Sequence, residues 1–316
     1  MIFQTQIPLK KQQLNQINYD SKLLLLGSCF SENIGEKLSY YKFQSTVNPF
    51  GILFHPKAIE NLVLDAINEK VYTDDDLFFY NERWHCFDTH SILSAASKYE
   101  VLNNLNNINT TTFKQLNGAT HIVITLGTSW VYRFIETDTI VANCHKVPQK
   151  KFLKEILSIE EITESLEAII SLIKSINNTV SIIFTVSPVR HLKDGFVENQ
   201  RSKSHLLSAI HNTIDQRNNT HYFPSYEIMM DELRDYRFYA EDMIHPNKMA
   251  INYIWEQFFT TWVSEESQQI MKSIETIQKG MTHRSFNPES EAHLKFLNNL
   301  EQKKETLIKA FPFMKF

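Results

Sequence analysis

The chain has 316 residues, 42% of them hydrophobic, with 36 acidic against 32 basic side chains and a formal charge of −4. That length is ample for a buried core, and the near-balanced charge lacks the basic footprint that binding to nucleic acid needs. No apolar run is long enough to span a bilayer, the first 20 residues lack the charged-then-apolar order of a signal peptide, and three cysteines make no disulfide framework, so the cytoplasm is the expected location.

The first clear element is Leu23-Leu24-Leu25-Leu26-Gly27, a buried strand that runs into Ser28-Cys29-Phe30-Ser31 and an amphipathic helix through residue 41. A glycine turn between strand and helix sets Ser28 or Cys29 at a helix N-terminus. Unpaired amide N–H groups and the helix dipole there favour an anionic nucleophile or an oxyanion. The plainer reading makes Ser28 or Ser31 a cap and Cys29 a small buried apolar residue. His55-Pro56 opens a helix to about residue 70, Asp74-Asp75-Asp76 is a turn or cap, and residues 77–89 alternate aromatic and polar as a hairpin does.

A helix over residues 98–116 precedes a second buried strand at 121–127, which again ends in glycine, in Gly127-Thr128-Ser129-Trp130. Asn143-Cys144-His145-Lys146, with Pro148 behind it, reads as a loop that either touches substrate or is a turn whose Asn and Lys cap their neighbours. Next come a helix over 158–176, a strand over 180–186 and a third strand end at Ser187-Pro188-Val189-Arg190-His191. Arg190 has the bidentate fork to hold a carboxylate or phosphate, although an ion pair with Glu227 or Asp231 is the expectation.

A helix over 199–217 and a short strand at 221–223 follow. In the loop and helix over 224–239, Tyr226, Tyr236 and Tyr239, like Tyr222 before them, read as packing residues with a wet hydroxyl. A further helix runs beyond His245 through Trp255 and Phe259. This alternation predicts a doubly wound, three-layer α/β/α domain over residues 1–264 with a mostly parallel sheet. Residues 265–316 form a helical extension packed on or near it, and the tail Phe311-Pro312-Phe313-Met314-Lys315-Phe316 needs a docking surface on its own domain or on a protein partner.

In Asp242-Met243-Ile244-His245-Pro246 an acid stands three residues before a histidine, and the proline opens the next helix. In a nucleophile–His–acid hydrolase such a pair divides the work: imidazole takes the nucleophile's proton and the carboxylate fixes its tautomer and orientation. The plainer reading is a solvated loop acid and a capping histidine. His85, His90, His145 and His245 raise the question of a metal, but no ligand spacing supports one, and neither metal nor cofactor is expected.

A strand-end nucleophile followed far downstream by Asp-x-x-His-Pro resembles the SGNH, or GDSL-type, hydrolase superfamily. Gly27 falls on the Gly of the Gly-Asp-Ser-Leu block, Ser28 on the Asp, Cys29 on the nucleophilic Ser and Phe30 on the Leu. Gly-Ser-Cys-Phe followed by a small residue, here Ser31, resembles the signature of the GSCFA family. So do Asn48-Pro49-Phe50-Gly51, Asp88-Thr89-His90-Ser91, Leu126-Gly127-Thr128-Ser129-Trp130, Asn143-Cys144-His145-Lys146-Val147-Pro148, Ser187-Pro188-Val189-Arg190 and Tyr222-Phe223-Pro224-Ser225-Tyr226-Glu227, over residues 23–259.

The resemblance implies a five-stranded sheet in flavodoxin-like order and acyl transfer through a covalent intermediate. Cys29 or Ser28 attacks an ester or activated acyl carbonyl, His245 serves as base and then acid, and Asp242 orients the ring. A helix N-terminus and a nearby histidine are expected to lower the Cys29 pKa. Where the superfamily offers an Asn from Gly-x-Asn-Asp to the oxyanion, the candidates here are the Gly127 backbone, the Thr128 or Ser129 hydroxyl, Asn48 and Asn143. Gly51, His90, His145, Ser187 and Arg190 complete the expected substrate-binding set. The substrate is expected to be a small-molecule, glycan or lipid acyl ester. Two other classes stand beside this reading: an acyl-glycan or lipid binder without catalysis, and an interaction module whose C-terminal helices dock a partner.

Overall fold

The computed structural model describes residues 5–316. In chain order the elements are β1 (Lys22–Gly27), α1 (Cys29–Tyr40), β2 (Gln44–Val47), α2 (Pro56–Ile67), β3 (Phe78–Tyr80), β4 (Arg83–His85), α3 (Lys98–Gly118) and β5 (His121–Leu126). Then follow β6 (Trp130–Phe134), β7 (Thr139–Val141), β8 (Phe152–Ile156), α4 (Ile159–Ile176), β9 (Ser181–Val186), α5 (Phe196–Thr213) and β10 (Thr220–Tyr222). The short α6 (Ser225–Glu227) continues as a π turn, Ile228–Glu232, and α7 (Lys248–Trp262), α8 (Glu265–Thr282) and α9 (Glu291–Ala310) close the chain.

The central sheet has the order β2-β1-β5-β9-β10, and every neighbouring pair is parallel. Buried on both faces, its inner strands are near-continuous apolar runs, as a covered parallel sheet demands. Alternate residues of β1 feed opposite cores. Leu24 and Leu26 pack with Ile59 and Val63 of α2 and Ile169 of α4, whereas Leu23 and Leu25 pack with Ile34 of α1, Trp255 of α7 and Ile274 of α8. Each fully buried leucine contributes about 1.5–3 kcal/mol relative to exposure. The chain steps from β1 outward to β2, then crosses back over to β5, so the strand order reverses between β1 and β5. At such a switch point a crevice opens beyond the carboxyl ends of the strands, the usual ligand position in open α/β sheets.

Three expectations are corrected. The stretch 130–156, where only a loop around residues 143–148 was expected, is an antiparallel three-stranded sheet in the order β7-β6-β8, whose short strands give too little alternation to stand out in the sequence. The helix expected over 199–217 runs from Phe196 to Thr213, because Asp215 turns its carboxylate onto the Arg217 N–H and closes a separate turn. The first helix begins at Cys29 itself, two residues earlier than the cap serine Ser31 suggested. The hairpin of β3 and β4 stands as expected. The apolar tail folds back on its own domain: Met314 is buried, and the Phe311 ring lies 5.2 Å from that of Tyr19. Among the described residues no helix is long and apolar enough to cross a membrane.

Candidate active site

The corner between β1 and α1 is built around a contact that only glycine allows. Gly27 has φ +128°, and a Cβ there would lie 2.1 Å from the Thr125 carbonyl oxygen. Ser28 extends the strand pairing by donating its N–H to the same oxygen at 3.0 Å, and its Oγ accepts from Phe30 N at 3.3 Å. It is therefore the buried N-cap of α1. Ser31 is wholly buried and bonded to Leu26 O and Thr125 Oγ1. Cys29, the first helical residue, is half-buried and is the free thiol at this corner.

Burial, with the Glu32 charge behind it, pushes the Cys29 thiol up, against the opposing pull of the Lys203 charge and of the Cys29 and Phe30 amides. The expectation of a lowered pKa thus fails, because the cost of burying a charged sulfur exceeds the help from the helix end. At rest Cys29 is a thiol that must lose its proton when it reacts.

Beside it, Asn48 has φ +43°, and its Oδ1 accepts from Gly27 N at 2.9 Å. The Asn48 Nδ2 is buried with no partner, so an amide donor stands unengaged at the end of β1. Gly51, with φ +76°, keeps the following turn against His90, whose Cβ would be 2.4 Å from a Cβ at this position. His90 donates its N–H to Phe50 O and accepts from Ile92 N through Nδ1, so both residues shape the loop.

At the end of β5, Gly127 gives its N–H to Phe54 O at 2.7 Å and is not free to meet an oxyanion. The Thr128 hydroxyl pairs with the Ser202 hydroxyl at 2.9 Å, and Ser129 bonds Ser202 through both its N–H and its hydroxyl. These two residues fasten β5 to α5. Ser187 closes a local turn, its Oγ accepting from Val189 N.

What holds these strand ends together was not singled out in the sequence. Lys203 of α5 is 0% exposed, and its Nζ donates to Gly127 O at 2.6 Å and Ser187 O at 2.7 Å. Among the described residues no carboxylate forms an ion pair with it. Burial pulls it down to about 7, while the charge of Cys29 acts in the opposite direction. A signal did exist: Asn199, Ser202, Lys203, Leu206 and Ile210 form one buried stripe at helical spacing, with a lysine in it.

The Asp242–His245 pair is formed as its spacing suggested. Asp242 Oδ2 accepts from His245 Nδ1 at 2.6 Å, and its Oδ1 accepts from the N–H groups of Ile244 and His245. Those bonds hold the carboxyl down at about 2 and fix the ring tautomer, leaving Nε2 as an acceptor. The loop is tied to the segment leaving β9, since Arg190 N donates to Ile244 O at 3.2 Å. His191, on that segment, has a buried Nε2 with no partner, 3.2 Å from where a Gly127 Cβ would be. Burial, and then the Lys203 charge, pull it down to about 4.

The structure thus brings Asp242 to His245, but Cys29 is hydrogen-bonded to neither. Arg190 makes no ion pair with Glu227 or Asp231. Its guanidinium lies over the rings of Tyr239 and Tyr236, at 4.1 and 5.4 Å, and Glu227 is taken by the Tyr222 hydroxyl.

In the second group of candidates the histidine is fully engaged. His145 donates from Nε2 to Cys86 O at 2.7 Å and accepts from the Ser91 hydroxyl at 3.0 Å, and burial pulls it down to about 4. Asn143 Oδ1 accepts from His145 N. Both nitrogens of neighbouring His85 are likewise bonded, to Tyr80 O and the Ser94 hydroxyl. Among the described residues no three His, Cys, Asp or Glu side chains gather as metal ligands.

Comparison with known families agrees with the sequence blocks. The model of the GSCFA family matches residues 22–258, and that of the GSCFA domain protein, C-terminal domain, matches residues 274–316. No curated protein matches the chain.

Proposed function

The chain belongs to the GSCFA family, and from that premise we propose that it is an SGNH-like acyl-transfer enzyme, an esterase or acyltransferase with Cys29 as nucleophile. One observation carries the reading: an oriented Asp242–His245 pair with a free ring nitrogen, on a loop bonded to the carboxyl edge of the sheet that carries Cys29. Catalytic hydrogen bonds are often long in the free enzyme and tighten on substrate, so a histidine not yet bonded to the thiol is compatible with the role.

The step runs as follows. Cys29 Sγ bonds to the carbonyl carbon as its proton passes to His245 Nε2, and the carbonyl electron pair moves onto oxygen. When that pair returns, the bond to the alcohol breaks and His245 returns the proton to the leaving oxygen, leaving a thioester on Cys29. Water or an acceptor alcohol then repeats the sequence in reverse. Asn48 Nδ2, unpartnered beside Gly27, supplies a donor for the oxyanion. The Lys203 ammonium, with no carboxylate of its own, stabilises the developing thiolate.

The test is intact-mass analysis of protein quenched after mixing with p-nitrophenyl esters. A single acyl adduct on Cys29, absent in Cys29→Ala and slow to form in His245→Ala, is the expected result. An adduct elsewhere, or none across acetyl to dodecanoyl esters, contradicts it.

A further inference from the structure

A cavity of about 320 Å³ opens between the small antiparallel sheet and the loop before α2, and none of the steps above uses it. Its walls include Phe54, Trp130, Tyr132 and Val141, and its polar groups include Asn143, Lys146, Gln149 and Lys193. Among the described residues no carboxylate lines it. This is the usual make-up of a small-ligand pocket, mainly apolar and aromatic with a few placed polar groups, and its size lies at the lower end of the range of about 300–1,000 Å³.

Its position relates it to the strand ends. Leu53 donates its N–H to Gly27 O at 3.2 Å, and the next residue, Phe54, accepts the Gly127 N–H at 2.7 Å. The Phe54 ring lies 5.8 Å from that of His191, and the following residue, His55, also lines the cavity. The loop therefore runs from the end of β1, past the end of β5, into the cavity wall. His55 fixes that wall: its Nδ1 accepts from Ala58 N, so Nε2 carries the proton and donates to Val141 O at 3.1 Å. The Lys154 ammonium lies 4.8 Å from the Trp130 ring centroid and, through its ion pair with Asp194, ties β8 to the turn that carries Lys193. The wall is thus preformed rather than assembled on binding.

We propose that this cavity receives the apolar chain of the acyl group, so that the substrates are esters or thioesters of medium-length aliphatic acids; the assignment rests on the acyl-transfer reading above. Apolar aromatic walls favour a hydrocarbon chain. Lys193 gives a carboxylate probe, or an anionic carrier of the acyl group, a partner of opposite charge at the mouth.

Calorimetric titration of sodium octanoate into Cys29→Ala protein, which cannot form the thioester, reads the cavity apart from turnover. Octanoate is expected to bind saturably and sodium acetate not to bind. Val141→Phe, which fills the cavity, should weaken octanoate at least tenfold, and Trp130→Ala, which enlarges it, should shift the preference towards dodecanoate. Circular dichroism identifies variants that fold, and Trp130→Ala decides alone if Val141→Phe does not. Failure of octanoate to bind, or unchanged octanoate and dodecanoate affinities in the folded variants, overturns the assignment. If octanoate binds as described and no acyl adduct ever forms, the acyl-transfer reading fails and the assignment of an aliphatic ligand to the cavity is supported.

Discussion

The carboxyl edge of the parallel sheet and the hairpin side of the molecule hold similar side chains, a histidine, an amide and a thiol in each, yet they spend them differently. On the hairpin side, His85 and His145 each use both ring nitrogens and Asn143 caps His145. All four ring nitrogens of those two histidines have partners, and the result is rigidity. At the sheet edge the Nδ2 of Asn48 and the Nε2 of His191 are buried without partners, and Lys203 is buried without a counter-ion. Unsatisfied buried groups each cost about 1–3 kcal/mol, a penalty that folding alone does not explain and that a bound substrate can relieve.

Variants can break that contrast, in falling order of effect. Cys29→Ala should lower acyl transfer by on the order of 10⁴-fold or more, read as kcat on the best p-nitrophenyl ester. His245→Ala should cost roughly 10²–10⁴-fold, with the fold intact because the side chain is exposed. Asn48→Ala should cost about 10²–10³-fold in kcat if Nδ2 meets the oxyanion, and little if it only braces Gly27. By contrast, His145→Ala should destabilise the protein by about 1–3 kcal/mol in urea unfolding and leave Cys29 reactivity unchanged. Activity loss in His145→Ala at full stability would reverse the assignment of the two regions.

Lys203 sharpens the comparison through pH. Its folded value of about 7 lies below the ordinary lysine value of 10.5, so between those limits the unfolded chain binds a proton that the folded protein does not. Stability therefore rises with pH across that window, on the order of a kcal/mol per unit, and the contribution is lost as pH falls through 7. Urea midpoints from pH 6 to 10 should show this rise in wild type relative to Lys203→Met. Parallel curves would mean that Lys203 titrates normally.

Much of the scaffold was legible because it depends on local patterns. The runs over residues 23–27 and 121–127 are largely apolar and end in glycine, and α3 and α4 carry serine caps before a helical stripe. Asp242 and His245 were legible because three residues bring them together. What was not legible depended on partners distant in sequence. Nothing near Thr128 or Ser129 announces that Ser202 will take both, and nothing near Gly127 announces that Phe54 will take its N–H. Of the two cap serines the sequence offers, Ser28 and Ser31, the start of the helix at Cys29 makes Ser28 the cap. The direction of the Cys29 shift is not legible locally either, since burial is a property of the whole fold.

The most direct test of the central claim is the rate of Cys29 alkylation by iodoacetamide from pH 6 to 10, followed by intact mass in wild type and Lys203→Met. The account predicts that Cys29 reacts ahead of Cys86 and Cys144, whose thiols burial also raises, the latter to about 11, and that loss of Lys203 slows Cys29 labelling near pH 6, where Lys203 holds its proton, more than near pH 10. Labelling of Cys29 no faster than Cys144, or a profile unmoved in Lys203→Met, would contradict it.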